Sequence, residues 1–241
     1  MDLGIADKVA LVTAGSRGLG RATALALAGE GVRVMLSGRD ATTLEATRSE
    51  VATLGVEVGV RAGDVTDPGE PARLVAATVE RFGRLDILVA NAGGPPPGRA
   101  LDLTDEAIAA ALNANLTTSI RLVREAVPHM RAAGWGRICC ITSYTVKQPT
   151  PVLALSNTAR TGLWAWIKTA AQDLSAESSG ITLNMVCPGP HATDRMRQLG
   201  GSGVMGDPAD FGAVTAFLCS AQAGFVNGSA VVVDGGSTLA L

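Results

Sequence analysis

Hydrophobic residues gather in seven short runs, separated by longer segments in which alanine and leucine recur among polar residues. We predict strands at Lys8–Thr13, Val32–Ser37, Val56–Val60, Leu85–Ala90, Arg137–Thr142, Ile181–Val186 and Ser229–Val233. Most of these runs are almost continuously apolar, which is typical of strands covered on both faces. The segments between them favour helices at Gly20–Gly29, Ala41–Leu54, Glu70–Phe82, Asp105–Ala133 and Asn157–Ser178. No linker or repeat divides the chain, so the pattern predicts one α/β domain over residues 1–241, a doubly wound parallel seven-stranded sheet with helices on both faces.

Composition narrows the class of protein and the partners it can have. The chain has 241 residues, of which 47% are hydrophobic and 17% charged, and its net charge is −2. This composition excludes a disordered chain, and the charge argues against nucleic acid or an anionic membrane as the main partner. A small molecule is therefore the expected ligand. The acidic N-terminus lacks the features of a secretory signal and no apolar run is long enough to cross a membrane, so we expect a cytoplasmic protein.

The four cysteines predict neither a disulfide framework nor a metal site. Cys139 and Cys140 are adjacent within one apolar run, Cys187 follows another, and Cys219 lies beside apolar residues. Adjacent cysteines form a disulfide poorly, and no metal-ligand spacing is present. We expect buried, reduced thiols and no bound metal.

A glycine-rich turn follows the first predicted strand and opens the first predicted helix. Glycines allow a tight turn and a close approach of the backbone to a ligand, while the helix N-terminus presents free N–H groups to a phosphate. Ligands of such sheets bind beyond the carboxyl ends of the strands. The turn residues that we expect to bind a cofactor are Thr13, Gly15, Ser16, Arg17, Gly18, Leu19 and Gly20.

Several motifs, in order along nearly the whole chain, resemble those of the short-chain dehydrogenase/reductase (SDR) family. They are Thr13 with Gly18 and Gly20, Asp64-Val65, Asn91-Ala92-Gly93, Asn115, Thr142-Ser143, Pro188-Gly189 with Thr193, and Asp234-Gly235-Gly236. One departure is Ala14, which stands where the family has its first glycine. The resemblance implies a Rossmann-type fold, a nicotinamide cofactor and interconversion of a carbonyl and a hydroxyl group, as in 3-oxoacyl-[acyl-carrier-protein] reductases.

The same resemblance implies further cofactor contacts and an assembly. The additional contacts are Asp64, Val65, Asn91, Ala92, Gly93, Pro188, Gly189 and Thr193. The family's long helices, here Asp105–Ala133 and Asn157–Ser178, imply a homodimer or homotetramer. The segment Asp194–Gly206 is short for the family's substrate lid, and Asp207-Pro208 predicts the start of the next helix.

The end of the second predicted strand bears on the choice between NADP and NAD. An acidic side chain there would bond the ribose 2′-hydroxyl of NAD. By resemblance that position is Gly38, with Arg39 after it and Arg17 in the glycine turn. Two guanidinium groups suit a 2′-phosphate, so we predict NADP(H) over NAD(H). The alternative is that both arginines are ordinary surface residues.

The expected catalytic pair of the family is absent. Its tyrosine lies 13 residues after the serine and its lysine four residues further on, and counting from Ser143 leads to Ser156 and Arg160. A phenol can be brought near neutral pH by an adjacent cation, whereas an aliphatic hydroxyl titrates far higher. An arginine stays charged and cannot relay a proton, although Arg160 can still bind the cofactor ribose. The usual proton relay therefore does not carry over to this chain.

Other residues are candidates for the chemistry. We expect Ser143, Asn115, Ser156 and Arg160 to polarise a substrate oxygen, with water or His191 supplying the proton, because histidine titrates near neutral pH. Tyr144, the single tyrosine of the chain, is a further candidate that Lys147 could approach. A packed or substrate-lining ring remains the alternative role for Tyr144, and a substrate contact or a solvated loop residue the alternative for His191.

Three functions are compatible with these residues. The first is an NADP-dependent oxidoreductase with Ser156 and Arg160 in place of tyrosine and lysine. The second is a non-redox enzyme on the same scaffold, such as a dehydratase, isomerase or cyclase, and the third is a non-catalytic nucleotide-binding member. Fold alone does not choose between them.

Overall fold

The computed structural model describes residues 1–200 and 203–240. Its seven strands form one parallel sheet in the order β3-β2-β1-β4-β5-β6-β7. They are β1 (Val9–Val12), β2 (Arg33–Gly38), β3 (Val58–Ala62), β4 (Ile87–Ala90), β5 (Gly136–Ile141), β6 (Ile181–Pro188) and β7 (Ala230–Val233). The predicted doubly wound Rossmann-type domain is confirmed, and its strand order reverses between β1 and β4.

Burial on both faces of the sheet explains why the strands are continuously apolar. Side chains of a strand alternate between faces. In β1, Val9 and Leu11 join one buried cluster, whereas Ala10 and Val12 join another on the opposite face. Each face is then covered by helices, as the apolar runs predict.

Eight helices connect the strands among the described residues. They are α1 (Gly18–Gly29), α2 (Ala41–Ala52), α3 (Glu70–Phe82), α4 (Asp105–Leu112), α5 (Thr118–Ala133), α6 (Ala154–Ala176), α7 (Asp194–Gln198) and α8 (Pro208–Leu218). Short 3₁₀ turns occur at Ala100–Asp102 and Tyr144–Val146.

The predicted helix Asp105–Ala133 is wrong in one respect, because the structure divides it. A π-helical turn at Asn113–Thr117 separates α4 from α5, and within it the amide of Thr118 donates to the carbonyl of Asn113, five residues earlier. Such turns occur frequently at functional sites. The helix predicted at Asn157–Ser178 also begins earlier, at Ala154, whose amide donates to the carbonyl of Gly98.

The segment between β6 and α8 contains the predicted short lid. Thr193 caps α7, since its hydroxyl oxygen accepts a hydrogen bond from the amide of Met196 at 3.3 Å. Residues 201 and 202 of the lid lie outside the described residues. Asp207 caps α8 by accepting from the amide of Ala209 at 2.9 Å, which confirms the predicted helix start.

Two further observations concern the cysteines and the membrane. All four cysteines are buried and none forms a disulfide in the described part of the chain, as predicted from their spacing. Over residues 1–200 and 203–240, no helix has both the length and the apolar character that a bilayer span requires.

Candidate active site at the carboxyl ends of the strands

The turn after β1 is tied to the end of the neighbouring strand β4. The Thr13 hydroxyl donates to the carbonyl of Asn91 at 2.7 Å and accepts from the amide of Asn91 at 2.8 Å. The Asn91 side chain donates to the carbonyl of Ala14 at 3.4 Å. The structure therefore brings Thr13 and Asn91 together where the strand order reverses, which is the ligand-binding position of this fold.

The backbone of this turn needs very small residues. Gly18 and Ala14 both have positive φ angles, +52° and +46°, and the cost of this conformation at Ala14 is on the order of 1–2 kcal/mol. A Cβ atom on Gly20 would collide with the Ala14 carbonyl oxygen and lie 2.9 Å from the Asn91 amide nitrogen. The first turn of α1 is thereby held against the ends of β1 and β4, with its N–H groups at the carboxyl end of the sheet.

The remaining residues of the turn contact β2 and α2. The amide of Gly15 donates to the carbonyl of Ser37 at 2.8 Å, and the carbonyl of Ser16 accepts from the Thr47 hydroxyl at 2.9 Å. A Cβ on Gly38 would lie 3.0 Å from the Ser16 hydroxyl, so a glycine leaves room for it. Leu19 packs against the buried cluster under α1.

A cleft of about 440 Å³ lies between the start of α1 and α2, and Arg17 lines it. The Arg17 guanidinium donates to the Thr43 hydroxyl at 2.9 Å on this surface. An ion pair between Arg21 and Glu50 also lines the cleft. Arg17 is thus held at the edge of the cleft by a neutral hydrogen-bond partner, and the carboxylate of Asp194 also lines the cleft.

The second predicted cofactor arginine, Arg39, is exposed directly after β2 and close to Asp64. Hydrogen bonds from the amide and hydroxyl of Thr66, at 3.0 Å and 2.8 Å, lower the pKa of Asp64, and the charge of Arg39 adds to this effect. Asp40 has its carboxylate occupied, because it caps α2 by accepting from Thr43. Val65 is half-buried against the core.

The loop after β4 lies at the same carboxyl end of the sheet as this cleft. Ala92 is half-buried and Gly93 is exposed, with no atom within 4 Å of a Cβ built on it. Further along, Gly98 pairs with Leu153 just before α6. The loop therefore bridges the end of β4 and the start of α6, where Ser156 and Arg160 lie.

Arg160 is the centre of the buried polar cluster. Its side chain is only 9% exposed, and its guanidinium donates to the carbonyl of Thr142 and, at 3.0 Å, to the side-chain oxygen of Asn115. Its Nε atom and the amide nitrogen of Asn115 have no hydrogen-bond partner among the described residues. The structure thus brings Asn115 and Arg160 together and leaves two donors free.

No carboxylate compensates the charge of Arg160. None of the ion pairs among residues 1–200 and 203–240 includes it. Burial, with a smaller contribution from the nearby charge of Arg195, lowers the pKa of Arg160 to about 10. A pKa of about 10 still leaves the guanidinium protonated at neutral pH, so the cluster holds a buried positive charge without a negative partner.

Two serines flank this charge. The Ser143 hydroxyl oxygen accepts from the amide of Thr145 at 3.2 Å and from its hydroxyl at 3.0 Å, so the hydroxyl proton of Ser143 is free to be donated elsewhere. Ser156 is buried four residues before Arg160 on α6, and its hydroxyl forms no hydrogen bond to another described residue. Both serines can donate to an oxygen atom of a ligand.

Tyr144 and Lys147 do not form the pair considered from the sequence. The Tyr144 hydroxyl lies 3.4 Å from the Thr150 hydroxyl, in the loop before α6. The ammonium of Lys147 lies 4.1 Å from the centre of the Trp164 ring instead of beside the phenol. Lys147 is therefore not positioned beside the Tyr144 hydroxyl.

His191 is buried, contrary to the expectation of a free acid or base beside the nicotinamide. It is 4% exposed, and its ring packs edge-on against Phe211 with 5.4 Å between centroids. Its Nδ1 atom lies 3.0 Å from the carbonyl of Gly189, and the ring also contacts Gly206. The ring therefore packs between the segment after β6 and α8 instead of being open to the cleft.

That segment reaches the glycine turn. The amide of Gly189 donates to the carbonyl of Val233 at 2.9 Å, directly after Pro188 ends β6. The Thr193 methyl group lies 3.5 Å from a Cβ built on Gly18. Pro188, Gly189 and Thr193 are thus brought to the same edge of the sheet as the first turn of α1.

Arg195 links two segments at this end of the sheet through a contact that motif spacing did not reveal. Its guanidinium donates to the carbonyl of Pro95 at 2.6 Å and lies beside Gly94. This bond joins the lid to the loop after β4, 100 residues apart in the chain. The only signal in the sequence was a basic pair, Arg195 and Arg197, in a short exposed segment.

The fold and this cleft are those of a short-chain dehydrogenase/reductase. A family model described as Enoyl-(Acyl carrier protein) reductase matches residues 13–238. A 3-oxoacyl-[acyl-carrier-protein] reductase of Synechocystis is 32% identical over 242 residues, covering 96% of this chain and 97% of the relative. Human dehydrogenase/reductase SDR family member 4 is 31% identical over 247 residues, covering 97% and 88%.

Solved structures agree with these relatives. The crystal structure of L-sorbose reductase from Gluconobacter frateurii, complexed with NADPH and L-sorbose, superposes with a TM-score of 0.93 at 29% identity and covers 100% of both chains. Actinorhodin polyketide ketoreductase with NADPH gives a TM-score of 0.89 at 31% identity and covers 95% and 97%. The chain belongs to the short-chain dehydrogenase/reductase family, and its class is that of an SDR-type oxidoreductase.

Proposed function

We propose that this chain is an NADP(H)-dependent oxidoreductase that interconverts a carbonyl and a hydroxyl group of a small molecule without a tyrosine acid/base. The observation that carries the proposal is the buried, uncompensated charge of Arg160 between Asn115 and Thr142. A fixed cation of this kind stabilises negative charge that develops on a substrate oxygen. Solved relatives that hold NADPH, the L-sorbose and polyketide ketoreductases, support the choice of cofactor.

The glycine turn and its neighbours fit the cofactor. The close packing at Gly20 places helical N–H groups at the head of the cleft, where they suit a pyrophosphate. Arg17 lies in the glycine turn and Arg39 directly follows β2, and β2 itself contains no aspartate or glutamate. They would hold a 2′-phosphate through charge-assisted hydrogen bonds.

The chemistry follows from what each side chain can and cannot do. NADP(H), when bound, supplies or accepts the hydride at the carbonyl carbon. Ser143 donates its free proton in a hydrogen bond to the substrate oxygen, and Arg160 stabilises the charge on that oxygen. Ser156 adds a third donor. Each of the three holds the same number of protons before and after turnover, so the proton that the alcohol gains comes from water.

The cofactor choice is tested by comparing the binding of NADPH and NADH. We expect wild type to bind NADPH more tightly, and Arg39→Gln to weaken NADPH binding about tenfold while leaving NADH binding unchanged, because one charge-assisted bond is lost. Arg81→Gln is the control, since Arg81 pairs with Glu57 at the amino end of β3. Equal affinities for the two cofactors in wild type would refute the choice of NADP.

The redox assignment is tested by turnover. NADPH oxidation is followed spectroscopically with a panel of carbonyl compounds that includes a β-keto thioester and a ketose. Reduction of at least one substrate, lost on Ser143→Ala, is the expected result. NADPH binding without reduction of any substrate in the panel would instead favour non-redox chemistry on this scaffold.

We also propose a homodimer or homotetramer that pairs through α5 and α6. Trp164 and Trp166 are both half-buried on α6, where a second copy could cover them. Light scattering of the purified chain measures the assembly, and a monomer at micromolar concentration would contradict it.

A further inference from the structure

A second cavity lies at the opposite edge of the sheet from the glycine turn. It has a volume of about 550 Å³, within the range of small-molecule sites. Arg137 near the start of β5 and Thr182 near the start of β6 line it, together with the last turns of α6 and the loop before β7. The eight residues of β6 put roughly 25 Å between this cavity and the cofactor cleft.

The charge of this cavity is positive and uncompensated. Arg137 is 4% exposed and donates only to carbonyls, those of Ser220 at 2.8 Å, Gly136 at 2.8 Å and Gly180 at 3.1 Å. No ion pair within residues 1–200 and 203–240 includes Arg137. Lys168 likewise donates to a carbonyl, that of Gly228 at 3.3 Å.

The lining residues do not supply a counter-charge. None of the described residues that line the cavity is an aspartate or glutamate. Helix α6 ends beside the cavity, and its C-terminus contributes roughly half a negative charge. The two side-chain cations outweigh it, so the cavity attracts an anion.

An unpartnered hydroxyl points to the same kind of ligand. Thr182 is buried, lines the cavity, and its hydroxyl oxygen has no hydrogen-bond partner among the described residues. Leaving a buried hydroxyl unpaired costs about 1–3 kcal/mol, which a ligand oxygen would recover. Ser175, Ser178 and Ser179 add further hydroxyl groups around the cavity.

Apolar and aromatic side chains form the rest of the wall. The Trp135 ring lies 4.5 Å from the Arg137 guanidinium, and the ring of Phe225 is fully exposed at the rim. Ile181 and Leu174 line the floor. A small inorganic anion would gain little from these apolar side chains, whereas a ligand with a flat apolar body would bury that body against them.

We propose that this cavity is a binding site for a small aromatic or aliphatic carboxylate, separate from the cofactor cleft. The carboxylate contacts Arg137, Lys168 and the Thr182 hydroxyl, and the apolar body lies along Trp135 and Phe225. Arg137 and Lys168 both donate only to uncharged carbonyl oxygens. A carboxylate would give each of them a stronger hydrogen bond than a carbonyl does.

Calorimetric titration with 1-naphthoate tests the site in the 241-residue chain without cofactor. We expect binding in the micromolar to millimolar range, and binding at least tenfold weaker for the uncharged 1-naphthamide because the amide lacks the charge. Inorganic phosphate tests the charge without the apolar body and should bind more weakly than naphthoate. No binding of naphthoate at millimolar concentration, or equal binding of the amide, would overturn the proposal.

Two variants locate the ligand in this cavity. Lys168→Gln should weaken naphthoate binding about tenfold, since it removes one charge-assisted hydrogen bond. Thr182→Val should weaken it about threefold to tenfold while keeping or raising the melting temperature, because the lost hydroxyl is unpaired in the free protein. Unchanged affinity in both variants would refute the site.

A matched threonine separates ligand binding from stability. The Thr78 hydroxyl is also buried but donates to the carbonyl of Leu74 at 2.7 Å, far from the cavity. Thr78→Val should therefore lower the melting temperature and leave naphthoate binding unchanged. Saturating NADPH should not displace naphthoate, whereas displacement would place the ligand in the cofactor cleft and overturn the proposal.

Discussion

Replacing Arg160 by methionine separates catalysis from stability, because its charge is buried and has no carboxylate partner. Burial lowers its pKa from the ordinary value of an arginine to about 10, which corresponds to a cost of about 3 kcal/mol for keeping the charge in the folded protein. Methionine removes this cost but leaves the carbonyl of Thr142 and the side-chain oxygen of Asn115 without a donor, at about 1–3 kcal/mol each. The two effects oppose each other, so we expect the free energy of unfolding to change by no more than about 3 kcal/mol.

The effect on turnover has no such compensation. Loss of one donor that faces a developing oxyanion lowers the rate about 100-fold to 1000-fold in a site that excludes water. We expect Arg160→Met to lower kcat/KM at least tenfold, and about 100-fold if Arg160 contacts the oxygen directly. Arg160→Lys keeps the charge but loses the planar fork that bonds Thr142 and Asn115 together, so its loss should be intermediate.

The assay measures kcat/KM for carbonyl reduction, the dissociation constant of NADPH and the melting temperature on the same preparations. Arg121→Met is the control, since Arg121 also donates to an asparagine, Asn113 at 2.9 Å, but forms no hydrogen bond with Asn115 or Thr142 among the described residues. It should leave turnover within threefold of wild type. The same small change for Arg160→Met, with NADPH binding intact, would refute the role of Arg160.

Three further predictions address the turn, the thiols and the proton relay. Gly20→Ala should destabilise the protein by about 1–3 kcal/mol and weaken NADPH binding, because its Cβ collides with the Ala14 carbonyl. Gly29→Ala, on the same helix, has open space around its Cβ and should stabilise the protein by about 0.5–1 kcal/mol. Equal melting temperatures of the two variants would contradict this prediction. Burial raises the pKa of the Cys140 thiol above its ordinary 9.0, so its contribution to stability is complete below that pH and is lost as pH rises. The melting temperature should then fall less between pH 8 and pH 10 in Cys140→Ala than in wild type, and an equal fall would count against it. If only the acid/base is missing, Ser156→Tyr combined with Arg160→Lys should raise carbonyl reduction about tenfold or more. The measurement is kcat with NADPH and the best carbonyl substrate. No gain in a folded double variant would contradict this prediction.

The architecture could be predicted from the sequence because it depends on local patterns. Continuous apolar runs located all seven strands to within two residues at each end, and α3 begins and ends where its periodicity predicts. The π-helical turn at Asn113–Thr117 was not predicted, because one extra residue in a turn leaves the apolar spacing of a long helix almost unchanged. It became visible only through the hydrogen bond of Thr118.

The site was predictable in its residue types and not in its contacts. Position in the family pattern identifies Ser156 and Arg160, but the bonds of Arg160 reach 18 and 45 residues along the chain. His191 illustrates the opposite failure: its titration range suggests catalysis, whereas packing against Phe211 buries it. Chemistry read from a side chain alone does not reveal what the fold packs around it.

The π-helical turn has a consequence for how the site was assembled along the chain. Each residue of a helix advances the side-chain direction by about 100°. The additional residue within Asn113–Thr117 therefore sets the direction in which the side chains before it point, relative to those of α5. Asn115 reaches Arg160 at that phase, so a gain or loss of one residue in this stretch would leave the fold's outline unchanged while aiming the amide elsewhere. The orientation of the buried polar cluster thus depends on the number of residues in this turn, which substitutions do not change.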